Sequence, residues 1–111
     1  LVERGLLRLP IIPQHCVSNY HMFYVLAADL AQRDGLIAHL KARGIVAVFH
    51  YVPLHSAPHG RTLDTNRCEL PVTDATSGSL LRLPLYYDLK EAEVVEVVRA
   101  IYDFYGVAAP Q

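Results

Sequence analysis

The sequence predicts an α+β domain, with a small sheet of three or four mostly antiparallel strands and helices packed on one face. Two stretches, residues 30–43 and 88–105, space their apolar residues at helical intervals. Three short runs rich in aliphatic, β-branched and aromatic residues, at 20–28, 45–51 and 81–87, read as strands. No internal repeat, low-complexity block or domain boundary interrupts them, so residues 1–111 form one domain.

Residues 1–14 carry Pro10 and Pro13 around Ile11-Ile12, so a helix entering from Leu6–Leu9 must stop there and continue extended. This stretch reads as the remnant of an interdomain linker, and the abrupt opening suggests a chain cut from something longer. Tyr20–Ala28 alternates only weakly, as expected of a central strand covered on much of both faces. Asp29 closes it. Leu30–Arg43 places Leu30, Ile37, Leu40 and Leu36 on one stripe, with Gln32, Arg33, Lys41 and Arg43 on the other. Lys41 and Arg43 suit a solvated last turn, and Gly44 stands where a left-handed cap belongs.

Ile45–Tyr51 is expected to be a buried strand, joining Tyr20–Ala28 in one sheet by a right-handed crossover if the two are parallel. His50 and Tyr51, being adjacent, should point to opposite faces, while Pro53 turns His55 back toward the strand end. Val52–Pro71 has little periodicity, and so long a loop is usually functional, disordered or ordered by a partner. His55, His59, Arg61 and Arg67 lie in it. A short, marginal helix weakened by Gly78 follows from Thr73. Leu81–Tyr87 carries Pro84 and is expected near a sheet edge or bulge. The last helix opens at Asp88–Lys90, buries Val94, Val97, Val98, Ile101 and Phe104 or Tyr105, and wets Glu91, Glu93, Glu96, Arg99 and Asp103. Beyond Gly106 the tail should fray.

The formal net charge of −1 supplies no overall field for nucleic acid or an anionic membrane surface. No apolar run reaches the roughly 18–20 residues that span a bilayer, and charge interrupts the first residues too early for a signal peptide. Cys16 and Cys68 lack a CxxC spacing and read as reduced thiols of a cytoplasmic protein, with no disulfide. The hydrophobic share of 52% exceeds the usual apolar share of about 45–50%, and the mean hydropathy is positive at +0.21. Part of that surface is expected to face another domain or subunit.

The candidate chemistry gathers around Ala47–Pro58, where an apolar run ends in His50, Tyr51, a proline turn and His55. Imidazole and phenol at a strand end can donate and accept hydrogen bonds, though such residues are also ordinary solvated termini. His50, His55 and His59 could in principle ligate a metal, but their spacing follows no tight zinc pattern. Nothing in the sequence lowers the pKa of Cys68, which reads as an inert thiol rather than a nucleophile. His15, His21 and His39 read as ordinary. No phosphate-cradling glycine loop, GxGxxG or serine elbow is present.

Asn19–Tyr24, His39–Ile45, His50–Ser56, Leu70–Asp74 and Leu81–Tyr87, in this order, resemble the C-terminal part of the DegT/DnrJ/EryC1/StrS sugar aminotransferases. The resemblance runs from about Pro13 to Tyr105. It implies the small domain of a fold-type I, pyridoxal phosphate (PLP)-dependent homodimer, closing over a larger cofactor-bearing domain. The implied reaction moves an amino group from L-glutamate to a dTDP-linked 4-keto sugar. On that resemblance His50, Tyr51 and His55 are substrate-binding, with no catalytic, cofactor-binding or metal residue in this chain. The chain's two lysines, Lys41 and Lys90, match no Schiff-base motif, so the fragment should be inactive alone. Its departure from the family at Arg61–Glu69 leaves the sugar open. The rival reading is a stand-alone α+β module that binds a small effector.

Overall fold

A computed structural model describes residues 1–63 and 69–110. Arg67 and Cys68 therefore lie outside the described residues. The elements in chain order are β1 (Phe23–Leu26), α1 (Leu30–Lys41), β2 (Val48–Phe49), α2 (Gly60–Leu63), α3 (Pro71–Ser79), β3 (Leu80–Leu83) and α4 (Glu91–Phe104). The α+β expectation holds. Among the described residues the sheet has three strands in the order β1-β3-β2, and both neighbours of β3 pair with it antiparallel.

The sheet's centre is not where the sequence placed it. β3 is the middle strand, although Pro84 argued for an edge, because the proline falls just past its last ladder residue, Leu83. The Tyr20–Ala28 run supplies an outer strand instead, flanked by one bridge in which Arg8 exchanges backbone hydrogen bonds with Leu26 (3.0 and 2.9 Å). β1 and β2, both antiparallel to β3, run in the same direction with β3 between them.

Register sorts the two faces of the sheet. Val25, Leu81 and Phe49 lie in one cross-strand row, and Tyr24, Arg82 and Val48 in the next, so the rows face opposite ways. The first row meets the helices. Leu36 and Leu40 of α1 and Leu81 of β3 are fully buried and join Val25, Ile45, Ala47, Ala100 and Ile101 in one core. Leu7, from the stretch expected to be a linker, is buried in that core as well. Ile45 and Ala47 are buried as expected, but the sheet pairing of this run is confined to Val48–Phe49, both exposed at the edge.

α1 starts on Asp29, whose carboxylate accepts the Gln32 backbone N–H (2.8 Å), while the Gln32 side chain accepts the Ala28 N–H (2.9 Å). It ends, as the sequence predicts, on Gly44 in the left-handed region at φ +77°. The stripe is shifted from expectation: Leu30 is exposed and Arg33, assigned to the wet face, is buried. Arg43 is not simply solvated either. It forms an ion pair with Asp103 of α4 and donates to the His39 ring at Nδ1 (3.2 Å). On α4, Ala100 and Ile101 are the buried residues and Val97 packs against the core, whereas Val94 and Val98 face outward. No helix among the described residues is long and apolar enough to cross a membrane.

Candidate functional site

β2 ends at Phe49, one residue before the pair that the sequence singled out. Leaving the strand there removes the alternation that would send His50 and Tyr51 to opposite faces. Their rings instead meet edge-on, with centroids 4.5 Å apart and planes at 60°. His50 is half-buried, and its Nδ1 is enclosed without a hydrogen-bond partner among the described residues. Tyr51 is 70% exposed.

Past Pro53 the chain makes a tight turn. The Ser56 and Ala57 N–H groups both donate to the Pro53 carbonyl (3.1 and 2.9 Å), and the Ser56 hydroxyl adds a third bond to it (3.1 Å). α2 then folds back on this turn so closely that a Cβ at Gly60 would overlap the Leu54 carbonyl oxygen. His55 is held from the far side: its Nε2 lies 2.9 Å from Oδ1 of Asp74, in the first turn of α3. Sequence reading placed Asp74 at a helix start and in the Leu70–Asp74 stretch, without a role at the rim.

Tyr51, Val52, Pro53 and Ser56 line a groove of about 360 Å³, closed on the other side by Leu30 and Arg33 of α1 and by Asp74, Ser77 and Gly78 of α3. Arg33 is the second residue that sequence reading passed over. Only 8% exposed, its guanidinium stands over the Phe49 ring at 5.4 Å from the centroid, and its Nε lies 2.8 Å from Asp34 Oδ1 without the alignment of a hydrogen bond. An arginine four residues after a helix cap, one turn from the apolar stripe, was the available signal. Tyr51 thus lines the groove, His55 reaches it through Asp74, and His50 touches Tyr51 beside it.

The remaining histidines stand elsewhere. His59 and His15 are exposed, and His21 pairs locally with Asn19 (2.7 Å). His39 ties α1 to α4, which is structural work. Among the described residues no three His, Cys, Asp or Glu side chains cluster as metal ligands. A separate groove of about 460 Å³ between Arg43–Val46 and α4 contains none of the residues chosen from sequence.

The residues present do not fit PLP as its attachment site. Lys41 and Lys90 are both exposed, one at the end of α1 and the other just before α4, and neither lines the groove. The fold and site define a small α+β domain bearing an imidazole and phenol rim beside a groove. Over residues 3–102 the sequence matches the DegT/DnrJ/EryC1/StrS aminotransferase family, and the chain belongs to that family.

Among its relatives, a pleiotropic regulatory protein of Geobacillus stearothermophilus is 32% identical over 106 residues, covering 95% of this chain and 28% of the relative. A dTDP-4-dehydro-2,3,6-trideoxy-D-glucose 4-aminotransferase of Saccharopolyspora spinosa is 34% identical over 91 residues, covering 81% and 22%. The crystal structure of DesV from S. venezuelae superposes with a TM-score of 0.81 at 28% identity, covering 95% of this chain and 28% of that one. The chain therefore spans only about a quarter of the length of the curated relatives it matches.

Proposed function

We propose that this chain is the C-terminal, substrate-closing domain of a cytoplasmic, homodimeric, PLP-dependent aminotransferase. The whole enzyme would move an amino group from L-glutamate to a dTDP-linked 4-keto-6-deoxy sugar, as a dTDP-4-amino-4,6-dideoxygalactose transaminase does, for cell-surface polysaccharide such as enterobacterial common antigen. Residues 1–14 would lead in from the large domain, which would hold the cofactor and supply its lysine. The cofactor's part is to stabilise negative charge at the reacting carbon. This chain's part is to bind and orient the nucleotide sugar, and the fragment alone would be inactive.

The observation that supports this most is the meeting of His50 and Tyr51 at 4.5 Å beside a groove, in a chain whose two lysines lie outside it. An imidazole and a phenol offer donors and acceptors to sugar hydroxyl or phosphate oxygens without a charged group that would compete for the cofactor. His55, held by Asp74, extends the rim.

The test uses the full-length polypeptide. His50→Asn and Tyr51→Phe should each lower kcat/KM for the nucleotide sugar by about tenfold, the size of one lost hydrogen bond in the transition state. The visible absorbance of bound PLP should be unchanged. Wild-type steady-state kinetics in both variants would remove the site assignment.

The name of the Geobacillus relative favours a second reading, a regulatory module that binds a small effector. A full-length polypeptide that lacks both PLP absorbance and turnover would select it.

A further inference from the structure

We infer that Asp74 is a positioning residue that fixes the tautomer of His55, so that His55 meets its ligand with Nδ1 as a hydrogen-bond acceptor; this rests on the substrate-binding reading of the rim. His55 Nε2 stands 2.9 Å from Asp74 Oδ1. An ionised carboxylate has lone pairs and no hydrogen to give, so the proton on this contact belongs to Nε2. In the neutral ring that leaves the lone pair on Nδ1, and among the described residues no hydrogen bond engages it. An acceptor at that place selects a ligand group with a hydrogen to donate, such as a sugar hydroxyl or a nucleobase N–H. It does not suit a bare phosphoryl or carboxylate oxygen.

The geometry is directional rather than incidental. The two residues are 19 apart in sequence and belong to different elements, the Pro53 turn and the first turn of α3. The backbone on each side is separately fastened, by the Pro53 carbonyl accepting from Ser56 and Ala57 and by the Asp74 N–H donating to the Leu70 carbonyl (2.9 Å). The imidazole is about four-fifths covered, which restricts ring flipping, while Asp74 also lines the groove that Tyr51 borders. The other charged group lining that groove is Arg33, whose nearest carboxylate is Asp34, on the same helix.

Two measurements test this, with Asp74→Asn separating tautomer control from tethering. Asparagine preserves the contact but offers an N–H as well as a carbonyl oxygen, so it no longer dictates which ring nitrogen carries the proton. Long-range 1H–15N correlation on the 111-residue chain at neutral pH should give a protonated Nε2 and a bare Nδ1 for His55. In Asp74→Asn the two nitrogen shifts should converge or exchange order. A protonated Nδ1 in the wild-type chain overturns the inference whatever the ligand proves to be. In the full-length polypeptide, with dTDP-glucose as a stable probe, Asp74→Asn should weaken binding by about tenfold and Asp74→Glu should recover most of it. Unchanged probe affinity in Asp74→Asn, alongside the expected loss in His50→Asn, overturns the role of Asp74 while leaving the rim standing. No loss in His50→Asn, Tyr51→Phe or Asp74→Asn overturns both.

Discussion

The Nε2 atom of His39 lies 3.0 Å from the Ala100 carbonyl oxygen, across the seam where α1 packs on α4. Arg43 donates to Nδ1 of the same ring (3.2 Å), so the partners leave Nε2 as the protonated nitrogen that donates to Ala100. The Phe104 ring closes the contact edge-on at 5.3 Å. Replacing His39 by leucine keeps the volume and removes the side-chain bond to the Ala100 oxygen, which then has only its own helix to donate to it. The expected loss is about 1–2 kcal/mol in urea unfolding, and a variant as stable as the parent would show that the seam rests on apolar contact alone.

Leu81 sits at the centre of the middle strand with no exposed surface. Leu81→Ala should destabilise the domain by about 2–5 kcal/mol, through lost transfer energy and the cavity left between α1 and the sheet. Chemical denaturation reads it directly. Leu30→Ala, removing an exposed residue of α1, should change stability by less than about 0.5 kcal/mol.

Gly60 makes a sharper test of the loop than any residue of the rim. Because an added Cβ would overlap the Leu54 carbonyl, Gly60→Ala must push α2 off the Pro53 turn. Overpacking of this kind costs about 1–3 kcal/mol. Hydrogen exchange should accelerate at Ser56 and Ala57, whose N–H groups hold the turn, and leave β3 unchanged.

The alkaline limit of stability should report Tyr105. Burial pushes its phenol up to about 12, and its hydroxyl donates to Gln32 Oε1 (3.0 Å). A raised folded-state pKa stabilises below the unfolded value of about 10 and loses that contribution as pH climbs toward about 12. Thermal unfolding midpoints should therefore fall over that interval, and Tyr105→Phe should flatten the fall.

At the acid end the sign reverses. Glu93 accepts the Lys90 backbone N–H (2.8 Å) and the Tyr86 hydroxyl (3.1 Å), which together hold its carboxyl below the ordinary range. Its contribution is present above the unfolded value and lost as pH drops through the lower folded one. Glu93→Gln should weaken that acid dependence and fray the first turn of α4 in hydrogen exchange.

The helices were legible because their evidence is local: Leu36 and Leu40 repeat at i, i+4, and Gly44 marks the stop. The sheet order was not. Arg82 and Pro84 make β3 look peripheral, and only the pairing of Leu81 with both Val25 and Phe49 puts it in the middle. Arg33 looked wet because composition cannot show Phe49 beneath it. The candidate rim was half legible. His50, Tyr51 and His55 stand out as residue types, but their arrangement depends on where β2 ends and on Asp74, nineteen positions downstream. Such contacts leave no periodic trace.

The placement of β3 between strands that both precede it sets an order on synthesis. While the ribosome is still short of Leu80, β1 and β2 have no ladder to join, since in the finished sheet each bonds to β3 and not to the other. Most of the nascent domain must therefore wait as helices and unpaired edges, and loop closure over more than fifty residues separates β1 from its partner. A chaperone that shields strand edges would have its longest window on this polypeptide just before residues 80–83 emerge.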